Sequence, residues 1–429
     1  MLFKNISILD ENFEVKNDMF VAVDGKSIAY IGAEAPAGDY GEVYDGKGKL
    51  LMPGFFNAHG HSPMTLMRGY GENMNLQDWL FKKIFPFEDH LDRAAVYSGT
   101  LLSMAESMRY GIVSTSDMYY FIDDMVAAVS ESGMKANICR SVSHFDDSDP
   151  WEGDRMKEVK RTFEAYHNMN GGRIKLDCSL HSEYTNNEKS IRAVTEYAKE
   201  VGTGIQIHIS ETKTEHDECK EKYGKTPIEL FDSFGTWDIA PATAAHCVWV
   251  EDSDMDIIKA KGIHVASNPI SNLKLASGVC NVPEMLKRGI NVAIGTDSVA
   301  SNNSLDFFEE MKIFAMASKM MYHDPTAVTP KETLYAATRA GALAQGRDNS
   351  GLLKEGFTAD LIVIDIDKPN MKPVYDMLNN LVYSASGTDV VMTMCDGKVL
   401  YRDGLYLTID IEKVYSMVED SRKRILSQL

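Results

Sequence analysis

Eight short apolar segments that alternate with helical stretches constrain the fold of this chain most strongly. They read LLMPGFFNAH, GIVSTSDMY, MKANICRSV, RIKLDCSLH, TGIQIHIS, TAAHCV, GIHVASNP and NVAIGTDS. The stretches between them, such as RAAVYSGTLLSMAESMRY and EKSIRAVTEYAKEVG, repeat apolar residues at the spacing of one helix face. Eight strand–helix units over roughly 290 residues match the size of a (β/α)8 barrel. We therefore predict an α/β protein with a TIM-type barrel over residues 53–349.

The two ends of the chain differ in residue pattern from the alternating strand–helix segments. Residues 1–52 and 350–409 contain short alternating strands with Asp-Gly turns, as in DMFVAVDGKSIAYIG and VVMTMCDGKVLYRDGLYL, which is typical of hairpins. Each end is too short to bury a core by itself, so we predict that both ends meet in one small β-sandwich module. Residues 410–429 are predicted to form a final amphipathic helix.

Charge and cysteine usage narrow the class of protein. The net charge of −19 and the pI near 5.0 disfavour binding to nucleic acid or to an anionic membrane surface. The six cysteines form no CxxC pair, which disfavours a disulfide framework and a thiolate zinc site. No run of about 18 apolar residues is present. We expect a cytoplasmic homo-oligomer that acts on a small molecule, with no nucleic-acid or membrane partner.

Conspicuous polar residues follow the predicted barrel strands where each strand ends. His59 and His61 end the first strand, and residues two apart on a strand face the same side. The later strands supply His208 with Glu211 three residues on, His246, and Asp297. Chemistry in such barrels is built at the carboxyl ends of the strands, so we expect these side chains to meet at one mouth. Three imidazoles and a carboxylate suit a catalytic zinc that keeps one position open for water.

Each of these residues alone also fits an ordinary structural role. An isolated His-x-His pair is usually part of a loop, His208 also fits a hydrogen-bonded core histidine, and Asp297 also fits a helix cap. These separate roles do not predict one common location, so the combined pattern favours a metal site. Lys175 lies at the start of the fourth strand rather than at its end, which favours one metal ion over two.

Longer motifs surround these residues: PGFFNAHGHSPMTLMRGYGENMNLQDWL, HISET, AHCVWV, NPISNLKLASG and IGTDSVASNNSLDFFEEMK. They resemble the amidohydrolase superfamily, and within it the 5′-methylthioadenosine/S-adenosylhomocysteine deaminases. The resemblance covers nearly the whole chain. It implies a metal-dependent hydrolytic deaminase that converts 5′-methylthioadenosine, S-adenosylhomocysteine or adenosine to the inosine analogue and ammonia. Such an enzyme is an aminohydrolase that acts on a C–N bond of a cyclic amidine.

The resemblance also assigns roles to individual positions. It implies one divalent metal ion, zinc in most members, held by His59, His61, His208 and Asp297. The catalytic residues that it implies are Glu211, which matches the family's proton shuttle, His246, which lies beside the reactive water, and Asp297. The substrate-binding residues that it implies are Trp79, Glu88, Arg140, His181, His208 and Glu211.

The chain departs from the family pattern at several positions. The family often has Ala-Pro after the histidine of the fourth strand, whereas this chain has Ser182 and Glu183. A second arginine of the family has only a loose counterpart in Arg155, which bears on whether a carboxylate-bearing tail is recognised. Ser267 precedes NPISNLKLASG where many relatives have histidine.

Two alternatives remain open at the level of the sequence. The first is a deaminase or related hydrolase of another amino-heterocycle, such as guanine, cytosine, a pterin or a triazine, for which Glu183 would be a candidate hydrogen-bond acceptor. The second is a non-catalytic scaffold protein on the same fold. The complete ligand set favours an enzyme, and pocket residues such as Trp79 and Glu88 favour an adenine nucleoside.

Overall fold

The computed structural model describes residues 1–429 and contains 17 strands. The strands are β1 (Leu2–Leu9), β2 (Val15–Asp24), β3 (Ser27–Gly32), β4 (Val43–Asp45), β5 (Lys49–Pro53), β6 (Phe55–Gly60), β7 (Ile112–Tyr119), β8 (Lys135–Arg140), β9 (Ile174–Leu180), β10 (Ile205–Ile209), β11 (Ala242–His246), β12 (His264–Ser267), β13 (Val292–Ile294), β14 (Leu361–Asp365), β15 (Val390–Cys395), β16 (Lys398–Arg402) and β17 (Leu405–Tyr406).

Eighteen α-helical segments accompany these strands, several of them only one turn long. They are α1 (Leu76–Trp79), α2 (Phe85–Glu88), α3 (Arg93–Arg109), α4 (Ile122–Ser132), α5 (Asp154–Tyr166), α6 (Met169–Gly172), α7 (Glu188–Val201), α8 (Lys213–Tyr223), α9 (Pro227–Ser233), α10 (Asp252–Lys261), α11 (Pro269–Lys274), α12 (Val282–Lys287), α13 (Val299–Asn302), α14 (Phe307–Tyr322), α15 (Pro330–Tyr335), α16 (Gly341–Ala344), α17 (Met377–Tyr383) and α18 (Ile411–Leu426). None of them combines the length and the apolar character that a bilayer crossing requires.

Strands β6 to β13 form the barrel. They pair in sequence order and in parallel, and a bridge between Gly60 and Asp297 brings the first strand next to the last. Most of their residues are buried, as in β7, where all eight are buried, because helices cover the outer face of a parallel barrel. The predicted (β/α)8 barrel is confirmed. The carboxyl ends of all eight strands open at one mouth.

The two chain ends meet as predicted, in one nine-stranded mixed sheet. Its order is β17-β16-β15-β14-β5-β1-β2-β3, with β4 paired to β1, and the antiparallel pair β14–β5 joins the two ends. Thirteen buried residues form a separate core, and they lie on β1, β2, β3, β5, β14, β15 and the segment before β14. The division of the chain into units at 52/53 and 349/350 stays a prediction. The final helix α18 packs against α3, where the Oγ atoms of Ser98 and Ser421 lie 3.3 Å apart.

One predicted strand divides into two. The segment LLMPGFFNAH forms the end of β5 in the terminal sheet and the start of β6 in the barrel, separated by Gly54. A Cβ atom at Gly54 would lie 2.4 Å from a methyl group of Val113, so only glycine fits where the chain passes from one sheet to the other. His59 and His61 lie at the other end of β6, at the carboxyl end of the strand.

Candidate active site

The rings of His61 and His208 point their Nε2 atoms toward each other. The Nδ1 atom of His61 lies 2.6 Å from the backbone oxygen of Met118, and that of His208 lies 2.7 Å from the oxygen of His181. A carbonyl oxygen can only accept, so each Nδ1 carries the proton and each neutral ring presents a lone pair at Nε2. The two Nε2 atoms are 3.3 Å apart. Two facing lone pairs at this distance are expected when a cation lies between them.

His59 and Asp297 complete the cluster. Asp297 Oδ1 lies 3.2 Å from Nε2 of His61 and 3.7 Å from Nε2 of His59. The Nε2 atom of His59 is buried and has no hydrogen-bond partner in the protein. Ligand atoms about 2.1 Å from a tetrahedral ion lie roughly 3.4 Å from each other, so these distances fit a common divalent ion.

Burial favours the neutral form at two of the three histidines of the cluster. At His61 burial acts in the same direction, but the hydrogen bond and the charge of Asp297 outweigh it and raise the pKa of His61. Burial lowers the pKa of His59 well below its ordinary value of 6.5, and the neighbouring His61 adds to this effect. Burial also lowers the pKa of His208, followed by the proximity of His59. A neutral imidazole is the form that binds a metal ion.

The position of Asp297 depends on the local backbone and on two hydroxyl groups. Its φ of 58° is unusual for a residue other than glycine, and its N–H donates to the oxygen of His59 at 3.0 Å. Ser271 and Ser301 donate to its Oδ2 atom at 2.5 and 3.1 Å. These bonds occupy one carboxylate oxygen and leave Oδ1 directed at the histidines.

Glu211 and His246 lie close together beside the cluster. Glu211 Oε2 lies 3.7 Å from Nε2 of His246, and Nδ1 of His246 lies 2.8 Å from Oδ1 of Asn272. Burial raises the pKa of the Glu211 carboxyl, and the charge of His246 opposes that rise. His246 adopts a φ of 72° at the end of β11, which turns its ring into the barrel mouth. The pair can exchange protons with a group bound above the cluster.

The inner cleft is a concave space of about 610 Å³ above these residues. It is lined by His61, Met64, Leu76, Trp79, Leu80, Ile84, Phe85, Glu88, Met118, Tyr119, Tyr120, Ser141, His181, Tyr184, His208, Glu211, His246, Leu275, Asp297 and Ser298. Most of the predicted site residues therefore share one cleft. Of the two that do not line it, His59 lies beneath its floor.

Trp79 and Glu88 form one wall of the inner cleft from the short helices α1 and α2. Trp79 is 4% exposed, and its indole Nε1 has no acceptor in the protein. Glu88 Oε1 accepts a hydrogen bond from the Tyr119 hydroxyl at 2.6 Å. Burial, opposed by that hydrogen bond, raises the pKa of Glu88 to about 7. The wall thus combines an aromatic face, a free N–H donor and a buried carboxyl group.

Arg140 lies outside the inner cleft, in an adjoining outer cleft. The outer cleft has a volume of about 1170 Å³ and is lined by Phe81, Phe85, Glu88, Asp89, Leu91, Tyr120, Phe121, Arg140, Ser143, Phe145, Arg155, His181 and Thr185. Arg140 Nε donates to Glu158 Oε2 at 2.6 Å, so its charge is already paired. Arg155 lines the same cleft and donates to the backbone oxygen of Ser143. Sequence reasoning missed Glu158, because nothing local marks a carboxylate 18 residues away as a partner.

Ser182, Glu183 and Ser267, which depart from the family pattern, can now be placed in the structure. Ser182 Oγ lies 3.2 Å from Nδ1 of His181, and it therefore orients that ring. Glu183 is 2% exposed but does not line the inner cleft, so it is not placed to receive hydrogen bonds from a heterocycle there. Ser267 accepts from the N–H of Gly295 through its backbone oxygen and likewise lies outside the cleft lining.

Known proteins resemble this chain over most of its length. Residues 50–400 match the model of the amidohydrolase family. The chain is 39% identical to a 5′-deoxyadenosine deaminase of Methanosarcina mazei over 97% of this chain and 95% of that protein. It is 41% identical to a 5-methylthioadenosine/S-adenosylhomocysteine deaminase of Acetivibrio thermocellus over 99% of both chains.

A solved structure extends the likeness to three dimensions. The crystal structure of an adenosine deaminase from Xanthomonas campestris with bound zinc superposes with a TM-score of 0.93. The identity is 28%, and the match covers 99% of this chain and 98% of that one. The family match spans well over half of the chain, and the relatives match it over nearly its full length. The chain therefore belongs to the amidohydrolase family.

Proposed function

We propose that this protein is a metal-dependent deaminase that hydrolyses an adenine nucleoside to the corresponding inosine analogue and ammonia. The observation that carries the proposal is the pair of facing Nε2 atoms of His61 and His208, 3.3 Å apart on the floor of the inner cleft. The names of the relatives at about 40% identity support the same substrate class.

The proposed ion is one divalent metal held by His59, His61, His208 and Asp297. Zinc is the proposed ion because the donor set is three imidazoles and a carboxylate and because the solved relative binds zinc. When bound, the ion supplies a water molecule acidic enough to act as a nucleophile near neutral pH.

The remaining chemistry is proton transfer by residues of this chain. His246 and Asp297 orient the attacking water and accept its proton as the water oxygen bonds to the ring carbon that bears the amine. Glu211 gives a proton to the adjacent ring nitrogen. Glu211, now ionised, takes the remaining proton of the added hydroxyl and passes it to the exocyclic amine. The carbon–nitrogen bond breaks as the ring carbonyl forms, the amine leaves as ammonia, and the proton held by His246 and Asp297 returns to Glu211.

The two clefts suit the two parts of a 5′-substituted nucleoside. Trp79 offers an indole face and a free N–H to the purine, and the oxygen of Glu88 that does not bond Tyr119 can accept from ribose hydroxyls. The 5′ substituent then extends into the outer cleft among aromatic rings such as Phe81 and Phe145. Arg155 is the arginine there that no carboxylate neutralises, so it is the proposed partner for a charged tail.

An ammonia-release screen tests the proposal. The panel contains 5′-methylthioadenosine, 5′-deoxyadenosine, S-adenosylhomocysteine and adenosine, with guanine, cytosine and a pterin as free-base competitors. We expect turnover of the nucleosides with kcat/KM values well above those for the free bases. Activity confined to free bases would contradict this proposal and favour a deaminase or related hydrolase of another amino-heterocycle.

We further propose the partners, the location and the oligomeric state of the protein. The net charge of −19 supports a small-molecule enzyme without nucleic-acid or membrane partners. We propose that it works in the cytoplasm as a homo-oligomer, which light scattering of the purified protein checks directly. A scaffold protein would bind no metal when expressed with zinc supplied.

A further inference from the structure

Glu310 is a buried carboxyl group that the proposed chemistry does not use. It lies in the first turn of α14, is 1% exposed and does not line the inner cleft. Its Oε2 atom accepts from the backbone N–H of Ile270 at 3.3 Å, and its Oε1 atom accepts from the side-chain amide of Asn302. Both donors are uncharged. A carboxyl group buried without a cationic partner is costly, so simple packing explains it poorly.

The two hydrogen bonds do not depend on the charge of Glu310. Burial raises the pKa of Glu310 well above its ordinary value, and the bonds from Ile270 and Asn302 oppose that rise. A carboxyl oxygen keeps a lone pair for an incoming N–H in either protonation state. Glu310 therefore links Ile270 to Asn302 in both states.

The Ile270 end of this link leads to two residues that support the active site. Ile270 lies in α11, directly before Ser271 and Asn272. Ser271 Oγ donates to Asp297 Oδ2 at 2.5 Å, and Oδ1 of Asn272 lies 2.8 Å from Nδ1 of His246. A shift of α11 would therefore move both of these supports at once.

The Asn302 end leads to the backbone that carries Asp297. The side-chain amide of Asn302 also donates to the backbone oxygen of Thr296, at 2.8 Å, and Thr296 directly precedes Asp297. Asp297 has a φ of 58°, a conformation that persists only when its surroundings hold it. One amide group thus connects Glu310 to the strained backbone at the end of the last barrel strand.

We propose that Glu310 is a positioning residue that ties the segments after β12 and β13 together and so directs Asp297 and His246 into the inner cleft. Its effect on turnover rests on the proposed deaminase function. The link itself, between α11 and the segment that bears Asp297, holds whatever the substrate is.

Two substitutions of Glu310 grade the loss of this link. Glu310→Gln keeps the size of the side chain but has one acceptor oxygen for two donors, so we expect kcat to fall by about 10-fold. Glu310→Met accepts no hydrogen bond, and we expect a fall in kcat of about 10²-fold, the scale of a displacement of about 1 Å at a reacting group. KM should change little, because the proposed substrate contacts Trp79 and Glu88 lie on other segments.

Asp254→Asn is the matched control. Asp254 is also fully buried, and it too accepts one backbone N–H, from Glu251 at 2.8 Å, and one side-chain hydrogen bond, from the Thr226 hydroxyl. It joins two segments of the chain but does not line the inner cleft. We expect this variant to lose thermal stability while its kcat per folded, zinc-loaded chain stays unchanged.

Hydrogen–deuterium exchange followed by mass spectrometry supplies a readout without turnover. The peptide that contains α11 should exchange faster in Glu310→Gln than in the unmodified protein, because the Ile270 N–H loses its acceptor or shares it. The same peptide should be unchanged in Asp254→Asn.

The results separate positioning from general support of the fold. Near-normal kcat in Glu310→Met overturns the proposal, as does a rise in KM as large as the fall in kcat, since the whole cleft would then be deformed. If the Met variant does not fold, Glu310→Gln decides: normal kcat or unchanged exchange of the α11 peptide overturns the proposal. An unmodified protein that deaminates no nucleoside refutes the proposed function, and the exchange comparison then still decides whether Glu310 holds α11.

Discussion

The floor and the wall of the inner cleft hold their side chains in different ways. On the floor, His61 and His208 each donate a hydrogen bond from Nδ1 to a backbone oxygen of a neighbouring barrel segment. This bond fixes the direction in which the Nε2 atom of each ring points. On the wall, Trp79 and Glu88 lie on one-turn helices, where Trp79 has no hydrogen-bond partner for its indole and Glu88 bonds one hydroxyl. The proposed chemistry thus lies on strand ends, whereas the proposed substrate contacts lie on segments that can vary with little effect on the barrel.

Replacing the proton donor on the floor should have the largest effect. Glu211→Gln keeps the shape of the side chain but cannot deliver a proton, so we expect kcat to fall by about 10²–10⁴-fold. Metal content, measured by atomic absorption, should be unchanged because Glu211 is not among the proposed ligands. A variant with near-normal kcat would remove Glu211 from the proton-transfer path.

Removing a hydrogen bond behind the proposed metal ligand Asp297 should have a smaller effect, and it should act on metal affinity rather than on kcat. Ser271→Ala removes one of the two hydroxyls that bond Oδ2 of Asp297. Partners of metal ligands typically contribute 10–100-fold in metal affinity, and we expect a loss of about that size in a competitive chelator titration. At saturating zinc, turnover should largely recover. Unchanged affinity would mean that Ser301 alone is sufficient to orient the carboxylate.

A change on the wall should alter recognition more than rate. Glu88→Ala removes the proposed acceptor for the ribose hydroxyls. At a pH above the Glu88 pKa of about 7, where the carboxyl is ionised, losing a charged hydrogen bond costs about 1.5–3 kcal/mol, or roughly 10–100-fold in KM. The kcat should change much less. Asp78→Ala on the neighbouring helix α1 is the control, because Asp78 does not line the inner cleft. Equal effects of Glu88→Ala on nucleosides and on free bases would contradict a ribose contact.

The residues on the floor of the inner cleft could be predicted from the sequence more completely than the contacts around them, for a physical reason. Strand periodicity and the rule that barrel chemistry lies at strand ends were enough to bring His59, His61, His208 and Asp297 to one mouth. Long-range pairing was not readable in the same way. Nothing local indicates that Glu158 neutralises Arg140 or that the chain changes sheets at Gly54.

Glu183 illustrates the same limit. Its position two residues after His181 made it a candidate substrate contact, but it does not line the inner cleft. Local pattern therefore predicts which strand ends carry polar groups, while the partners of those groups depend on the folded arrangement.

Metal titration of the stripped protein tests the central claim most directly. Zinc is removed with a chelator and returned stepwise while ammonia release from 5′-methylthioadenosine is followed. The account predicts that activity is absent without metal, rises linearly and reaches its plateau at one ion per chain. Full activity in the metal-free protein, or a plateau only at two ions per chain, would contradict a single-ion site on the floor of the inner cleft.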